Sequence, residues 1–101
     1  MDELDPSYRE CFRDLMRQNL PHAKVDLLEV RPGENFDGEP SLFVKLVFAG
    51  KPTDRDFDAL RAVRRAYREW LGGKRDKRFP YLQVSTRAEE RAAAAANHDR
   101  T

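Results

Sequence analysis

The segment from Leu42 to Ala49 constrains this chain more than any other. On an extended strand, Leu42, Val44, Leu46 and Phe48 point one way, while Phe43, Val47 and Ala49 point the other. A strand apolar on both faces belongs in the middle of a covered sheet or at an association surface. The chain has 101 residues, the length of one domain. A chain of this size buries roughly two-thirds of the surface its unfolded form exposes, enough for one modest core.

The elements that cover such a strand can be read from periodicity. Asp5 can cap a helix whose first position suits Pro6. Tyr8, Cys11, Phe12, Leu15 and Met16 then recur at helical spacing as one apolar stripe, which Leu20 extends and Pro21 ends. The opposite side carries Arg9, Glu10, Arg13, Asp14 and Arg17. Its arginines follow one another at four-residue spacing, so it is no salt-bridge ladder. Val25 to Val30 reads as a strand in which Val25 and Leu27 share one side and Leu28 and Val30 the other. Either a bulge switches its faces or both are covered. Arg31 to Pro40 is rich in turn-formers (Pro32-Gly33, Asn35, Asp37-Gly38, Pro40) and predicts a long hairpin loop.

A second helix begins near Thr53, where Asp56 three residues on completes a capping-box pattern. Phe57, Leu60, Val63, Tyr67, Trp70 and Leu71 form its stripe, and Gly72-Gly73 is expected to stop it. A basic loop, Lys74 to Arg78, leads to a third strand, Phe79 to Val84, where Pro80 points to an edge position. Thr86-Arg87-Ala88-Glu89 opens a third helix through Ala92–Ala96. That helix lacks large apolar side chains, so it is expected to be frayed or partner-dependent. The expected fold is therefore a single α+β domain in the order α-β-β-α-β-α. Its three-stranded mixed sheet combines an antiparallel hairpin with a right-handed crossover to a parallel strand. Residues 1–90 form the domain and residues 91–101 the Ala-rich helix end and tail.

Bulk properties narrow the function classes. Hydrophobic residues make up 40% and charged residues 37%, a globular composition with a heavily charged surface. The net charge of +1 exerts no global pull on nucleic acid or membrane. It hides an asymmetry: residues 1–50 carry a net −4 and residues 51–101 a net +5. Such halves attract each other within a fold or between subunits. The single cysteine, Cys11, permits no internal disulfide and fits a reducing compartment. The acidic N-terminus has no apolar stretch of a signal peptide, and no run is long enough to span a bilayer. A cytoplasmic location is expected.

Three surface features compete for a function. Arg61, Arg64, Arg65 and Arg68 lie on one helix stripe, and Lys74, Arg75, Lys77 and Arg78 follow. Clustered guanidinium groups bind phosphates through bidentate hydrogen bonds and counterion release, which makes RNA or DNA one candidate partner. The plain alternative is a solvated helix face. The acidic loop residues Glu29, Glu34, Asp37 and Glu39 could supply oxygens to a divalent cation, as in a metal-dependent nuclease. They lack EF-hand spacing, and Phe43 stands two before Lys45 where a nuclease-like strand wants an acid. Third, Phe36 sits in the polar loop, where an exposed aromatic can anchor a protein partner. Asp37 beside it and Trp70 at the margin of its stripe complete this candidate set.

Conventional catalysis has less to stand on. Cys11 lies on the buried stripe, and His22 and His98 make no zinc pattern with it. Ser41 and Ser85 have no predicted neighbouring base. No Walker or dinucleotide glycine loop appears. Catalytic residues, metal and cofactors are accordingly expected to be none.

The run Asp37-Gly38-Glu39-Pro40-Ser41-Leu42-Phe43-Val44-Lys45-Leu46-Val47-Phe48, with Phe79-Pro80-Tyr81 after the helix, resembles a class of small, largely uncharacterised bacterial α+β proteins. In these a Gly-Glu-Pro-x-Leu-Phe turn and strand precede a helix and a final strand. The likeness covers roughly residues 24–90, and its motifs are structural, so no active-site residue carries over. It implies a bacterial accessory protein, one half of a toxin–antitoxin or defence pair. The reading that follows is a non-enzymatic protein-interaction module, antitoxin-like or accessory. RNA or DNA binding and a metal-dependent nuclease are the alternatives. A homodimer would be another way to cover the two-faced strand.

Overall fold

The computed structural model, which describes residues 4–98, puts the two-faced segment at the centre of a sheet. That strand is β2 (Pro40–Phe48), flanked by β1 (Val25–Glu34) and β3 (Phe79–Thr86) in the order β1-β2-β3. β1 runs antiparallel to β2, and β3 parallel to it. The helices are α1 (Ser7–Asn19), α2 (Asp54–Gly73) and α3 (Arg87–His98). The chain is thus an α+β domain of order α-β-β-α-β-α with a three-stranded mixed sheet. Positions 99–101 of the expected tail lie outside the described residues.

The core forms on one face. Leu42, Val44, Leu46 and Phe48 of β2 cluster with Phe12 and Met16 of α1, Leu60, Val63, Tyr67 and Leu71 of α2, and Leu20 and Leu28. Register explains who joins them. Leu28 and Val30 pair with Leu46 and Val44, while Pro80, Leu82 and Val84 pair with Leu42, Val44 and Leu46. These apolar residues of all three strands therefore point to the same helical layer. The other face, through Glu29, Lys45, Gln83, Val47 and Ser85, is covered at one end only, by α3.

Side chains accept backbone N–H groups at the helix starts, although the N-cap of α1 is Pro6 itself, which has no such bond of its own. Asp5 Oδ1 accepts the Ser7 N–H at 2.8 Å. At α2 the capping box is complete: Thr53 Oγ1 accepts from the Asp56 N–H, and Asp56 Oδ2 from the Thr53 N–H. A register shift between Val25 and Leu27 is the bulge that switches the faces of β1.

In three places tertiary context overrides local signals. β1 does not stop at Val30 but continues through Pro32 and Gly33, which pair with Leu42 and Ser41. Pro32 is tolerated because β1 is an edge strand, where its missing N–H costs no ladder bond. The expected ten-residue loop is therefore only residues 35–39. Second, α2 ends at Gly73 as expected, but neither glycine takes the left-handed turn; that residue is Arg75 (φ 61°). There the Asp76 N–H reaches back to the Leu71 carbonyl at 2.9 Å, closing the helix. Third, α3 is formed, although its residues 91–96 are exposed. Polar contacts dock it in place of apolar ones. Arg87 makes a two-pronged pair with Asp26 (2.5 and 2.7 Å), and Glu90 binds both Lys45 Nζ and Ser85 Oγ at 3.0 Å. These partners hold the Asp26 and Glu90 carboxyls below their ordinary range, Arg87 acting on the first and Lys45 then Ser85 on the second.

Candidate recognition surface

Because α3 covers only one end of the outer sheet face, the other end is open. Phe43 and Tyr81 are neighbours in register across β2 and β3, with ring centroids 5.7 Å apart and planes at 22°. Phe43 also lies against Gly33 on β1. A Cβ on that glycine would come within 2.7 Å of the ring, so the missing side chain makes room for the aromatic. Phe79 extends the row, its ring 4.8 Å from that of Tyr81. Arg68 and Arg64 of α2 lie over the Phe79 ring at 4.9 and 5.9 Å.

The hairpin tip hangs beside this row. Asn35 Oδ1 accepts the N–H groups of Asp37 and Glu39 at 2.9 and 3.0 Å, and its backbone bonds to Gly38 and Glu39 close the turn. Gly38 takes the positive φ of 78° that the reversal requires. Asn35 Nδ2 further donates to the Tyr81 hydroxyl at 3.3 Å, tying tip to sheet. The tip is thus a defined turn whose apex residue, Phe36, is fully exposed. Phe36, Phe43 and Tyr81 line one concavity of about 530 Å³ with Glu34, Asn35, Asp37 and Gln83.

Of the expected partner-binding residues, Phe36 and Asp37 fall on this surface and Trp70 does not. Trp70 lies in the helical layer, edge-on to Tyr8 (5.2 Å) and stacked on Tyr67 (5.6 Å), with Lys74 Nζ 4.8 Å from its ring. Phe43 and Tyr81, not among the expected site residues, take its place on this surface. Their signal was present in β2: the Phe43 side of a two-faced strand had no second helix rich enough in large side chains to cover it.

The eight basic residues do not form one face either. Arg61, Arg64, Arg65 and Arg68 line a shallow concavity with Glu69, and Arg61 is paired with Asp58. Lys74 and Arg78 turn instead toward Tyr8, over whose ring they lie at 5.6 and 5.5 Å. Arg78 is clamped on Asp76 by its Nε and Nη2, the latter at 2.6 Å, and Tyr8 donates its hydroxyl to the same carboxylate at 2.7 Å. The guanidinium and then the tyrosine hold the Asp76 carboxyl far below the usual range, although burial opposes them.

The acidic residues Glu29, Glu34, Asp37 and Glu39 are dispersed along β1 and the tip. Glu29 pairs with Arg31 at 3.2 Å, and Glu39 takes a long contact from Asn35. Among the described residues no three His, Cys, Asp or Glu side chains gather as a metal site would need. Burial, then Asp14, pushes the Cys11 thiol above its ordinary value, the opposite of what activates a nucleophile. Ser85, for which no neighbour was predicted, donates to Glu90, whose lowered carboxyl pKa makes it a weak base. A further groove missed in the sequence lies between α1 and β1, about 510 Å³, where Arg9, Arg13 and Arg17 rim an apolar floor.

No helix among the described residues is long and apolar enough to cross a membrane. Comparison with protein-family models, with curated proteins and with solved structures gives no match to this chain.

Proposed function

We propose that the protein is a non-enzymatic interaction module that docks a protein partner on the open half of its sheet, as the accessory or neutralising member of a two-protein system. One observation carries this reading: a fixed turn holds Phe36 fully exposed beside the half-open rings of Phe43 and Tyr81. Rigid aromatic side chains at the centre of a surface are the residues that dominate protein interfaces, because they bury much area at little entropic cost. The polar docking of α3 supports the same reading, since it leaves this end of the sheet face uncovered.

Affinity capture from native lysate with the wild-type chain and with Phe36→Ser tests the proposal. Phe36 makes no core contact, so the variant should unfold at an unchanged temperature. Proteins retained by the wild type are expected to drop at least tenfold on the variant. Equal retention by both would remove the reading.

The arginines around the concavity on α2 favour nucleic acid as a second reading. With four phosphate contacts, the log-log salt slope for duplex DNA is expected to be about −4. Binding that ignores salt, or no binding at low salt, would exclude it.

A further inference from the structure

We infer that the aromatic concavity receives a cationic side chain, an arginine or lysine carried by an extended segment of the partner. This rests on the open sheet face being the docking surface and names what that surface takes.

The lining has a definite chemical character. Three rings, Phe36, Phe43 and Tyr81, stand with two carboxylates, Glu34 and Asp37, and two neutral amides, Asn35 and Gln83. No lysine or arginine lines it, in a chain with 19 of them. Ring faces carry negative quadrupole potential and attract cations, most strongly where water is partly excluded. Nearby carboxylates add to the same field.

The chain itself shows the contact being used. The aromatic row runs from Phe79 through Tyr81 to Phe43 and Phe36, and at the Phe79 end the guanidinium groups of Arg68 and Arg64 already lie over the ring. At the other end the lining holds the carboxylates Glu34 and Asp37, and the nearest guanidinium in register, that of Arg31 opposite Phe43, is paired with Glu29 at 3.2 Å. Other occupants fit less well. A phosphodiester backbone would meet Glu34 and Asp37 as like charges. A wholly apolar side chain would strip water from these carboxylates and offer no partner in return. A guanidinium or ammonium group satisfies the carboxylates and lies on the rings at once.

The test uses the full-length protein and an acetylated, amidated heptapeptide with one central arginine, followed by amide NMR titration. Saturable shifts are expected at Glu34, Asn35, Phe36, Asp37, Phe43, Tyr81 and Gln83. The same peptide with citrulline, which keeps the shape and loses the charge, should bind at least tenfold more weakly. The double variant Glu34→Gln, Asp37→Asn should bind the arginine peptide roughly three- to tenfold more weakly, its fold being checked from the same spectra. Absence of saturable shifts with the arginine peptide overturns the inference, as does equal binding of citrulline. If citrulline binds equally at these residues, the docking surface survives and only its charge preference falls. If oligothymidylate moves the same amides at lower concentration than the arginine peptide, the surface reads nucleic acid and the inference fails. If no probe moves them and Phe36→Ser still captures every partner, the docking surface fails with it.

Discussion

Tyr67→Ala is expected to destabilise the protein by roughly 3–5 kcal/mol, the usual cost of truncating a buried aromatic. Tyr67 is fully buried at the centre of the helical layer. Its ring meets Phe12 edge-on at 5.1 Å and stacks on Trp70 at 5.6 Å, so alanine would leave a cavity shared by α1 and α2. A domain this small has a total stability on the order of 5–15 kcal/mol, so much of it would be lost. The hydroxyl contributes separately, donating to the Tyr8 carbonyl at 2.9 Å. Tyr67→Phe keeps the ring and should cost only about 1 kcal/mol. Urea unfolding followed by far-ultraviolet circular dichroism measures both. A Tyr67→Ala loss under about 1.5 kcal/mol would mean that the two helices do not share the packing described.

The second large effect is expected at Asp76. Its carboxylate, nearly buried, binds the Arg78 guanidinium, the Arg78 N–H and the Tyr8 hydroxyl, so it joins the start of α1 to the segment between α2 and β3. Asp76→Ala would strand a half-buried guanidinium and a phenol together, a loss of roughly 2–3 kcal/mol. For a domain of this length that lowers the melting temperature by roughly 10–20 °C. The folded chain holds this carboxyl well below its ordinary value of 3.8. A carboxyl depressed in the folded state contributes stability that is fully present above the unfolded value and lost as pH falls toward the folded one. Wild-type stability is therefore expected to fall steeply below about pH 4, and Asp76→Ala should flatten that fall. Parallel pH profiles would show the clamp to be unimportant if wild type and variant lost stability alike.

How much of this was legible without the structure can be judged residue by residue. The stripes of α1 and α2 were plain, because a helix turns a 3.6-residue repeat of apolar side chains directly into one buried face. The central place of β2 followed from its two apolar faces, and the edge position of β3 from Pro80. The course of β1 through Pro32-Gly33 was not legible. Those residues signal a turn locally, and only pairing with the start of β2 holds them extended. Gly72-Gly73 marked the end of α2 correctly, but not how it closes: the left-handed residue is Arg75, and Asp76 bonds back to Leu71 and clamps Arg78. The surface was the least legible part. Arg64 and Arg68 look free on a helical wheel, yet lie over Phe79, while Trp70, at the margin of its stripe, is partly buried against Tyr8 and Tyr67.

The sequence by itself determined the class of fold, the order of its elements and most of the core, because periodicity and capping act between residues close in the chain. Only the tertiary structure decided which charges are spent on internal contacts, which aromatic rings stay open to water, and that Phe36, Phe43 and Tyr81 share one surface. The physical reason is separation. Phe36 and Tyr81 are far apart in the chain, and no local rule relates them until β2 brings the hairpin tip and β3 onto one face.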